Sequence, residues 1–476
     1  LYDVIIAGAG VVGAFIAREL SRYELKICIL EKEHDVATGA SKANSGIVHA
    51  GYDCVPGSLK ALLNVQGADM MEKIAAELDV PFRKTGSLVV GFDDKDRSIL
   101  QELLNRGNSN GAEGLEILSG DEARALEPGL SADITHALLA PSAGIISPYE
   151  FNIAAVENAV VNGAELYRSR KVTGISFRDG LIDADTQDGV MTCRYFVNAA
   201  GACAGDIAAM AGDDDISIKA RKGEYLLLDK SAGNIAGRVI FQCPAELGKG
   251  VLVTPTADGN ILVGPNAEDL EDTEDTATTG PGLEFVAKSA RRAVPELDFK
   301  QVITSFAGIR AKSPGRDFII RPSKIHSNFI HAAGIDSPGL TSAPAIGRYV
   351  CDILREQGLQ LEPKKDFTNK RDRLIRFGDL SAEDADRLIR ADPSYGRLVC
   401  RCEKVTEGEV IDSIRRPVGA LDVDGVKRRT RAGMGRCQGG FCTPRIIELL
   451  SDELGIPYNE VTKKGGASRI LMERTK

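Results

Sequence analysis

The sequence predicts a chain of mixed α/β and α+β class: a Rossmann-like domain, an antiparallel sheet inserted into it, and a separate cysteine-bearing domain at the C-terminal end. Three observations predict it. Residues 2–30 run strand, glycine-rich turn, helix, strand; the middle of the chain holds short strand-like runs between turn residues; the last quarter holds four cysteines in two close pairs. At 476 residues there is material for two or three domains, each with its own core.

Tyr2-Asp3-Val4-Ile5-Ile6-Ala7 is a short apolar strand, Val12 to Tyr23 has helical spacing, and Leu25 to Leu30 is a second strand ending at Glu31. Between them Gly8-Ala9-Gly10-Val11-Val12-Gly13 is a G-x-G-x-x-G turn. The first glycine permits the tight turn, the second lets a pyrophosphate approach the backbone, and the third lets helix and strand pack closely. The helix N-terminus offers N–H groups to phosphates, and Glu31 falls where a carboxylate accepts from ribose hydroxyls. Together these predict dinucleotide binding.

Leu59 to Leu78 reads as a helix, and Ser87 to Phe92, Tyr225 to Asp229, Val251 to Thr254 and Asn260 to Val263 as strands of an antiparallel sheet. Tyr195 to Gly201 and Phe329 to Gly334 read as returns to the nucleotide-binding sheet. The acidic stretch Glu268 to Asp275 reads as a solvated loop. Residues 1–80, 145–215 and 306–360 are thus expected to form the nucleotide domain, 81–144 and 216–305 the inserted substrate or cap domain, 361–395 a linker, and 396–476 the cysteine domain.

A net charge of −9 argues against general nucleic-acid binding. The charge is uneven: residues 361–476 carry 24 Lys and Arg against 19 Asp and Glu, a net of +5, which leaves −14 for residues 1–360. Ten cysteines in so long a chain do not suggest a disulfide scaffold. No apolar run approaches the roughly 18 residues that span a bilayer, and a first strand starting by Tyr2 leaves no room for a signal peptide. A soluble, cytoplasmic protein is expected.

Cys400 and Cys402 form a C-x-C, and Cys437 and Cys442 a C-x-x-x-x-C. Four thiolates in two close pairs suit a [2Fe–2S] cluster, two sulfurs per iron. The alternative is structural zinc, which usually shows C-x-x-C pairs and fits these spacings poorly. Lys427, Arg428, Arg429, Arg431 and Arg436 crowd the second pair. They are expected either to stabilise an anionic cluster and raise its potential or to form a basic face for an acidic partner. A dinucleotide site at one end and an electron carrier at the other predict a redox enzyme that passes electrons onward singly.

Gly8–Gly13 with Glu31, then residues 39–51 (Gly39-Ala40-Ser41-Lys42-Ala43-Asn44-Ser45-Gly46-Ile47-Val48-His49-Ala50-Gly51), then Asn198-Ala199-Ala200-Gly201, then Gly334 to Ser342, resemble the D-amino-acid-oxidase-like FAD superfamily, which includes glycerol-3-phosphate and L-2-hydroxyglutarate dehydrogenases. The cysteines, with Thr430 to Cys442, resemble the small helical bacterioferritin-associated-ferredoxin-like [2Fe–2S] domain of the anaerobic-type glycerol-3-phosphate dehydrogenase catalytic subunit. The resemblance implies FAD contacts: Gly8, Gly10, Val12 and Gly13 at the pyrophosphate, Glu31 and Lys32 at the adenosine end, and Val172 at adenine. Ser41, Asn44, Ser45 and His49 would lie in the loop passing the flavin, with Ala200 and Gly201 a second approach and Gly339, Leu340 and Thr341 at the isoalloxazine. Cys400, Cys402, Cys437 and Cys442 would hold the cluster. One departure matters. Asp336-Ser337-Pro338-Gly339-Leu340-Thr341-Ser342 stands where the glycerol-3-phosphate enzymes carry a Gly-Gly-Lys-Leu-Thr-Thr-like motif with a lysine available for phosphate, and it looks nearer the L-2-hydroxyglutarate type.

Three residues are candidates for chemistry on the substrate. His49 is read either as the base that takes a hydroxyl proton or as a hydrogen-bonding neighbour of the flavin. Arg310 is read as a bidentate clamp for a carboxylate or phosphate or as an ion pair, and Tyr225 as a residue projecting towards the flavin or an ordinary strand tyrosine. His331, in an apolar strand, is read as structural. The expected function is an FAD- and [2Fe–2S]-dependent dehydrogenase of a small anionic secondary alcohol, sn-glycerol 3-phosphate first and an L-2-hydroxy acid second. Electrons would go to a partner subunit or quinone-linked acceptor, with a hetero-oligomer, and membrane association through that partner, as the further expectation. An amine or amino-acid dehydrogenase and a non-enzymatic electron-transfer subunit are the rival classes.

Overall fold

The computed structural model describes residues 1–244 and 250–473. Strand β1 (Tyr2–Ala7) is buried nearly throughout, as parallel strands covered on both faces are. It pairs in parallel with β2 (Ile27–Leu30) on one side and with the end of the strand Gly189–Asn198 on the other. Glu165–Tyr167 continues the parallel order beyond β2, and Phe329–Ala333 beyond Gly189–Asn198. An antiparallel meander, Val172–Arg178 and Leu181–Thr186, feeds into Gly189–Asn198. Both strand returns to this sheet that the sequence predicts are therefore present.

Helix α1 (Val11–Leu20) packs on the sheet beside helix Pro148–Val161 and the long C-terminal helix Gly339–Glu356. A three-stranded sheet follows: β3 (Ile47–Val48) pairs with Gly144–Ile146, which pairs with Phe82–Arg83. Helix α2 (Leu59–Glu77) begins where Ser58 caps Ala61 N–H and Asp317 accepts from the N–H groups of Leu59 and Lys60. A carboxylate suits a helix N-terminus, where the dipole is positive.

The second domain is a nine-stranded sheet with Lys219–Leu228 near one edge and Glu116–Ser119 at the other. One boundary is corrected here. The nucleotide domain was expected to resume at residue 306, but Val302–Lys312 pairs with Lys219–Leu228 along almost its whole length and so belongs to the cap sheet. Its side chains are half-buried from Val302 to Phe306 and buried from Ala307 to Ile309. The acidic stretch is corrected only in part, since its acidic residues from Glu268 to Glu274 are exposed and 271–275 lie outside any strand. Glu268–Leu270 is a strand paired with Lys219–Leu228, Asp269 accepts two hydrogen bonds from Arg221, and Asp275 pairs with Lys222. These carboxylates balance the cations of the neighbouring strand.

Residues 363–376 are not a free tether. Lys364 N donates to Arg22 O, Arg371 N to Glu77 O, and Leu374 N to Asp79 Oδ2, while Arg371 pairs with buried Glu157 at 2.7 Å. The C-terminal domain that follows has three helices, Glu407–Arg415, Val423–Thr430 and Thr443–Leu454, around a core of Val410, Val426, Ile446 and Leu450. Two buried carboxylates lock it to the nucleotide domain: Glu157, which pairs with Arg416 at 2.7 Å, and Asp35. Asp35, fully buried, takes Arg428 at 2.5 Å and both terminal nitrogens of Arg429 at 2.8 and 2.9 Å, with Arg168 at 3.5 Å. Arg431 reaches Asp258, Asn260 and Tyr149, and Arg436 reaches Asp229. Arg428, Arg429 and Arg431 of the basic run therefore face the other domains' carboxylates and are not a solvent face for a partner, whereas Arg436 pairs with Asp229 and stays exposed.

Burial opposes the charge on Asp35, yet the Arg429 and Arg428 guanidiniums hold its carboxyl well below the usual carboxylate range. A lowered folded-state value means this stabilisation is complete above the unfolded value near 4 and is lost as pH falls through the folded value. Asp35→Ala should cost on the order of 3–5 kcal/mol, since it strands two buried guanidiniums. Urea unfolding at neutral pH checks this, and the deficit relative to wild type should shrink in acid.

Candidate active site and cluster site

The glycine turn is built to let a ligand approach the backbone. Gly8 sits at φ +104°, where a side chain is strained, and a Cβ there would lie 2.5 Å from Ala199 O. A Cβ on Gly13 would lie 2.0 Å from Gly8 O, so only glycine lets α1 sit on β1. Gly10 caps α1 through its backbone, Val12 lies in its first turn, and Val11 N donates to Ser41 Oγ at 2.9 Å. Ser41 thus ties the later loop to the helix N-terminus. Glu31, buried at the end of β2, accepts from Ala9 N at 2.8 Å and Glu33 N at 2.9 Å. Burial raises its pKa, and these two N–H donors oppose the shift. Lys32 turns outward to Glu274 at 3.0 Å and Glu33 at 3.5 Å. Val172 opens its strand just after Arg170, whose N–H donates to Glu31 O. Ala200 and Gly201 begin the turn that follows Gly189–Asn198. All of these gather at the carboxyl ends of the parallel strands, where ligands bind in such sheets.

The loop 39–51 leads from there to the cap sheet. Asn44 is spent on the loop itself: Nδ2 donates to Ala40 O and Ser41 O, and Oδ1 accepts from Gly46 N. Thr341 Oγ1 accepts from His49 N at 3.0 Å and donates to Ile47 O, holding β3 against the helix that starts with Gly339 and Leu340. Ser337 Oγ lies 3.3 Å from His49 Nε2. Ser337 and Lys60 were not singled out by sequence; Lys60 reaches from α2 to pair with Asp336 and returns a cation to the stretch that lacks the motif lysine.

The cap sheet lies directly on this loop. A Cβ on Gly308 would stand 1.9 Å from Ala43 O. Tyr225, buried and stacked on Phe306 with ring centres 4.9 Å apart, places its hydroxyl 3.5 Å from Ser45 Oγ. Arg310 donates from Nε to Arg221 O and from Nη2 to Lys222 O and Asn266 O. It makes no ion pair among the described residues, and Nη1 has no hydrogen bond among them. His49, Ser45, Tyr225, Arg310 and Thr341 therefore surround one region between loop, cap sheet and helix, although 176 to 292 positions separate His49 from Tyr225, Arg310 and Thr341. His331 is structural, its Nε2 2.7 Å from Asp213 in a fully buried pair.

At the other site, Cys402 Sγ lies 3.7 Å from Cys437 Sγ, and the buried Cys400 hydrogen-bonds with Cys442. The Cys400 thiol is lowered to about 6, first by Cys442 and then, against burial, by the backbone N–H groups of Gly433, Glu403 and Cys402. Cys437 is also lowered: burial opposes, while the N–H groups of Phe441, Gly439 and Gly440 and the Cys402 thiol favour its thiolate. Cys400 and Cys437 thus have backbone donors that favour their thiolates, and the potential of a [2Fe–2S] cluster depends on such hydrogen bonds.

Residues 3–353 match the family described as FAD dependent oxidoreductase, and residues 398–452 the BFD-like [2Fe-2S] binding domain. The chain is 47% identical over 476 residues to a glycerol 3-phosphate dehydrogenase of Caloramator mitchellensis, covering 100% of this chain and 99% of that one. It is 27% identical over 416 residues to a mitochondrial L-2-hydroxyglutarate dehydrogenase of Nematostella vectensis, covering 75% of this chain and 91% of that one. The dithionite-reduced, FAD-bound L-alpha-glycerophosphate oxidase of Mycoplasma pneumoniae matches with a TM-score of 0.74 at 33% identity, covering 78% of this chain and 98% of that one.

The glycine geometry separates folding from binding. A Cβ on Gly10 meets only Ser41 Oγ, at 3.2 Å, so Gly10→Val should fold yet be purified without FAD, read by absorbance. Gly13→Ala, with no space at Gly8 O, should lose at least the 1–3 kcal/mol or so typical of overpacking, read by thermal unfolding. Cys400→Ser should lose two irons and two sulfides per chain by metal analysis while substrate still bleaches the flavin; one zinc per wild-type chain would refute the cluster assignment.

Proposed function

The chain belongs to the FAD-dependent oxidoreductase family and carries a BFD-like [2Fe–2S] domain behind it, and on that premise we propose that it is a dehydrogenase of sn-glycerol 3-phosphate. The observation that carries the proposal is the 47% identity to a glycerol 3-phosphate dehydrogenase across both domains. Bound FAD supplies a two-electron acceptor for hydride, and the cluster a one-electron carrier onward to a partner protein or quinone-linked subunit. No helix among the described residues is long and apolar enough to cross a membrane, so any membrane acceptor would be reached through that partner.

The chain's own residues are assigned as follows. Gly8, Gly10, Val12 and Gly13 lie along the pyrophosphate and Glu31 at the ribose, with Lys32 and Val172 at the adenosine end. Ser41, Asn44, Ser45, Ala200, Gly201, Gly339, Leu340 and Thr341 shape the flavin's surroundings. His49, oriented by Thr341 on its backbone and Ser337 on its ring, takes the hydroxyl proton. Arg310, its Nε and Nη2 anchored to carbonyls, offers Nη1 to the substrate anion, and Tyr225 closes the cap side. Cys400, Cys402, Cys437 and Cys442 hold the cluster.

L-2-Hydroxyglutarate is the second reading, favoured by the Asp336-Ser337-Pro338 stretch. Anaerobic mixing decides between them: sn-glycerol 3-phosphate should bleach the flavin, and L-2-hydroxyglutarate and small amines should not. His49→Gln should slow that bleaching by about 10²- to 10⁴-fold, the usual worth of a general base. Arg310→Lys keeps the charge but loses the planar fork, and should weaken substrate binding about 10- to 100-fold, as for one charge-assisted hydrogen bond, without loss of FAD. Unchanged affinity with a lower melting temperature would make Arg310 structural.

A further inference from the structure

We infer that a small cavity beside His49, walled by Asn64, holds one ordered water that carries away the proton taken from the substrate. The inference rests on reading His49 as the base. His49, Asp53, Cys54, Tyr52, Asn64 and Pro338 line the cavity. Asn64 lies on α2 and is fully buried, and neither its Nδ2 nor its Oδ1 has a hydrogen-bond partner among the described residues. A buried amide left unpaired is costly, and the usual remedy is a bound water with two or more polar partners. The space fits that remedy: its volume for the centre of a water-sized sphere is about 10 Å³, room for about one molecule.

The position gives the water a task. When the secondary alcohol is oxidised, its C–H bond breaks with the electron pair passing to bound FAD. Its O–H bond breaks as an N–H bond forms on the imidazole. The imidazole must lose one proton before the next turnover. A water held by Asn64 accepts that proton within the cavity and releases one of its own to Asp53, a half-buried carboxylate on the same wall. Asn64 is therefore a positioning residue, acting through the water. Phe241, on the cap strand Val239–Gln242, lies 5.8 Å from the His49 ring, and Ser337 Oγ lies 3.3 Å from its Nε2.

The test is anaerobic stopped-flow on the holoenzyme with sn-glycerol 3-phosphate, recording flavin bleaching and proton release to an indicator dye together. In wild type the two traces should coincide. Asn64→Leu fills the cavity with apolar atoms: its first-turnover bleaching should stay within about 3-fold of wild type, while proton release lags bleaching about 10-fold or more. Asn64→Ala removes the amide that holds the water and should lag as well, whereas Asn64→Gln returns an amide and should bring the traces back together. Asn64→Met fills the same space with a flexible chain and serves where leucine does not fold. Coincident traces in the filled variants would overturn the inference while leaving His49 as the base. Wild-type bleaching in His49→Gln would overturn the base assignment, and the route that starts from it.

Discussion

The buried carboxylate of Asp35 is the constraint on which the arrangement of the two redox sites depends. It lies four residues beyond Glu31, in the segment that leaves β2, and it receives Arg428 and Arg429 from the C-terminal domain. The segment that carries the carboxylate at the adenosine end of the first site is thus the segment to which the second site's helix is fastened. Buried ion pairs contribute little net stability compared with apolar packing, because desolvation offsets the Coulomb attraction. Their strength is the cost of any arrangement that breaks them. A docking held this way resists sliding, and it fixes the cluster domain in one orientation on the nucleotide domain.

Arg431 extends the same logic to a third body. It joins Glu403, next to Cys402, to Asp258 and Asn260 of the cap sheet and to Tyr149 of the nucleotide domain, and Met434 touches the same tyrosine. Tyr149 follows the strand Gly144–Ile146 that pairs with β3 of the flavin loop. Cap, loop and cluster motif therefore meet at one buried hydrogen-bonded node. The strap 363–376, bound across α1, α2 and helix Pro148–Val161, holds the chain between them on the surface it crosses.

The candidate site shows how a cap sheet and a flavin loop make one pocket from distant residues. Gly308 permits the strand carrying Arg310 to touch Ala43, and Tyr225 then meets Ser45. Arg310 makes no ion pair among the described residues. Two of its three nitrogens are satisfied by backbone carbonyls, which sets the plane of the guanidinium and leaves one edge for a ligand.

The sequence by itself determined the nucleotide turn and, through the family resemblance, the cofactors. These are local signals: a close backbone approach demands glycine at fixed spacing, and a cluster demands four cysteines, whatever surrounds them. The core strands were legible for the same reason, since a doubly covered strand must be apolar throughout. Three features were decided only by the tertiary structure. The strand with Arg310 joined the cap sheet because its partner, Lys219–Leu228, lies 80 residues away and no local pattern records a pairing. Arg428, Arg429 and Arg431 turned inward because their counterions, Asp35 and Asp258, are scattered through the rest of the chain. Asn64 looked like any polar residue of a helix until folding placed it beside His49, because burial is a property of the neighbours and not of the residue.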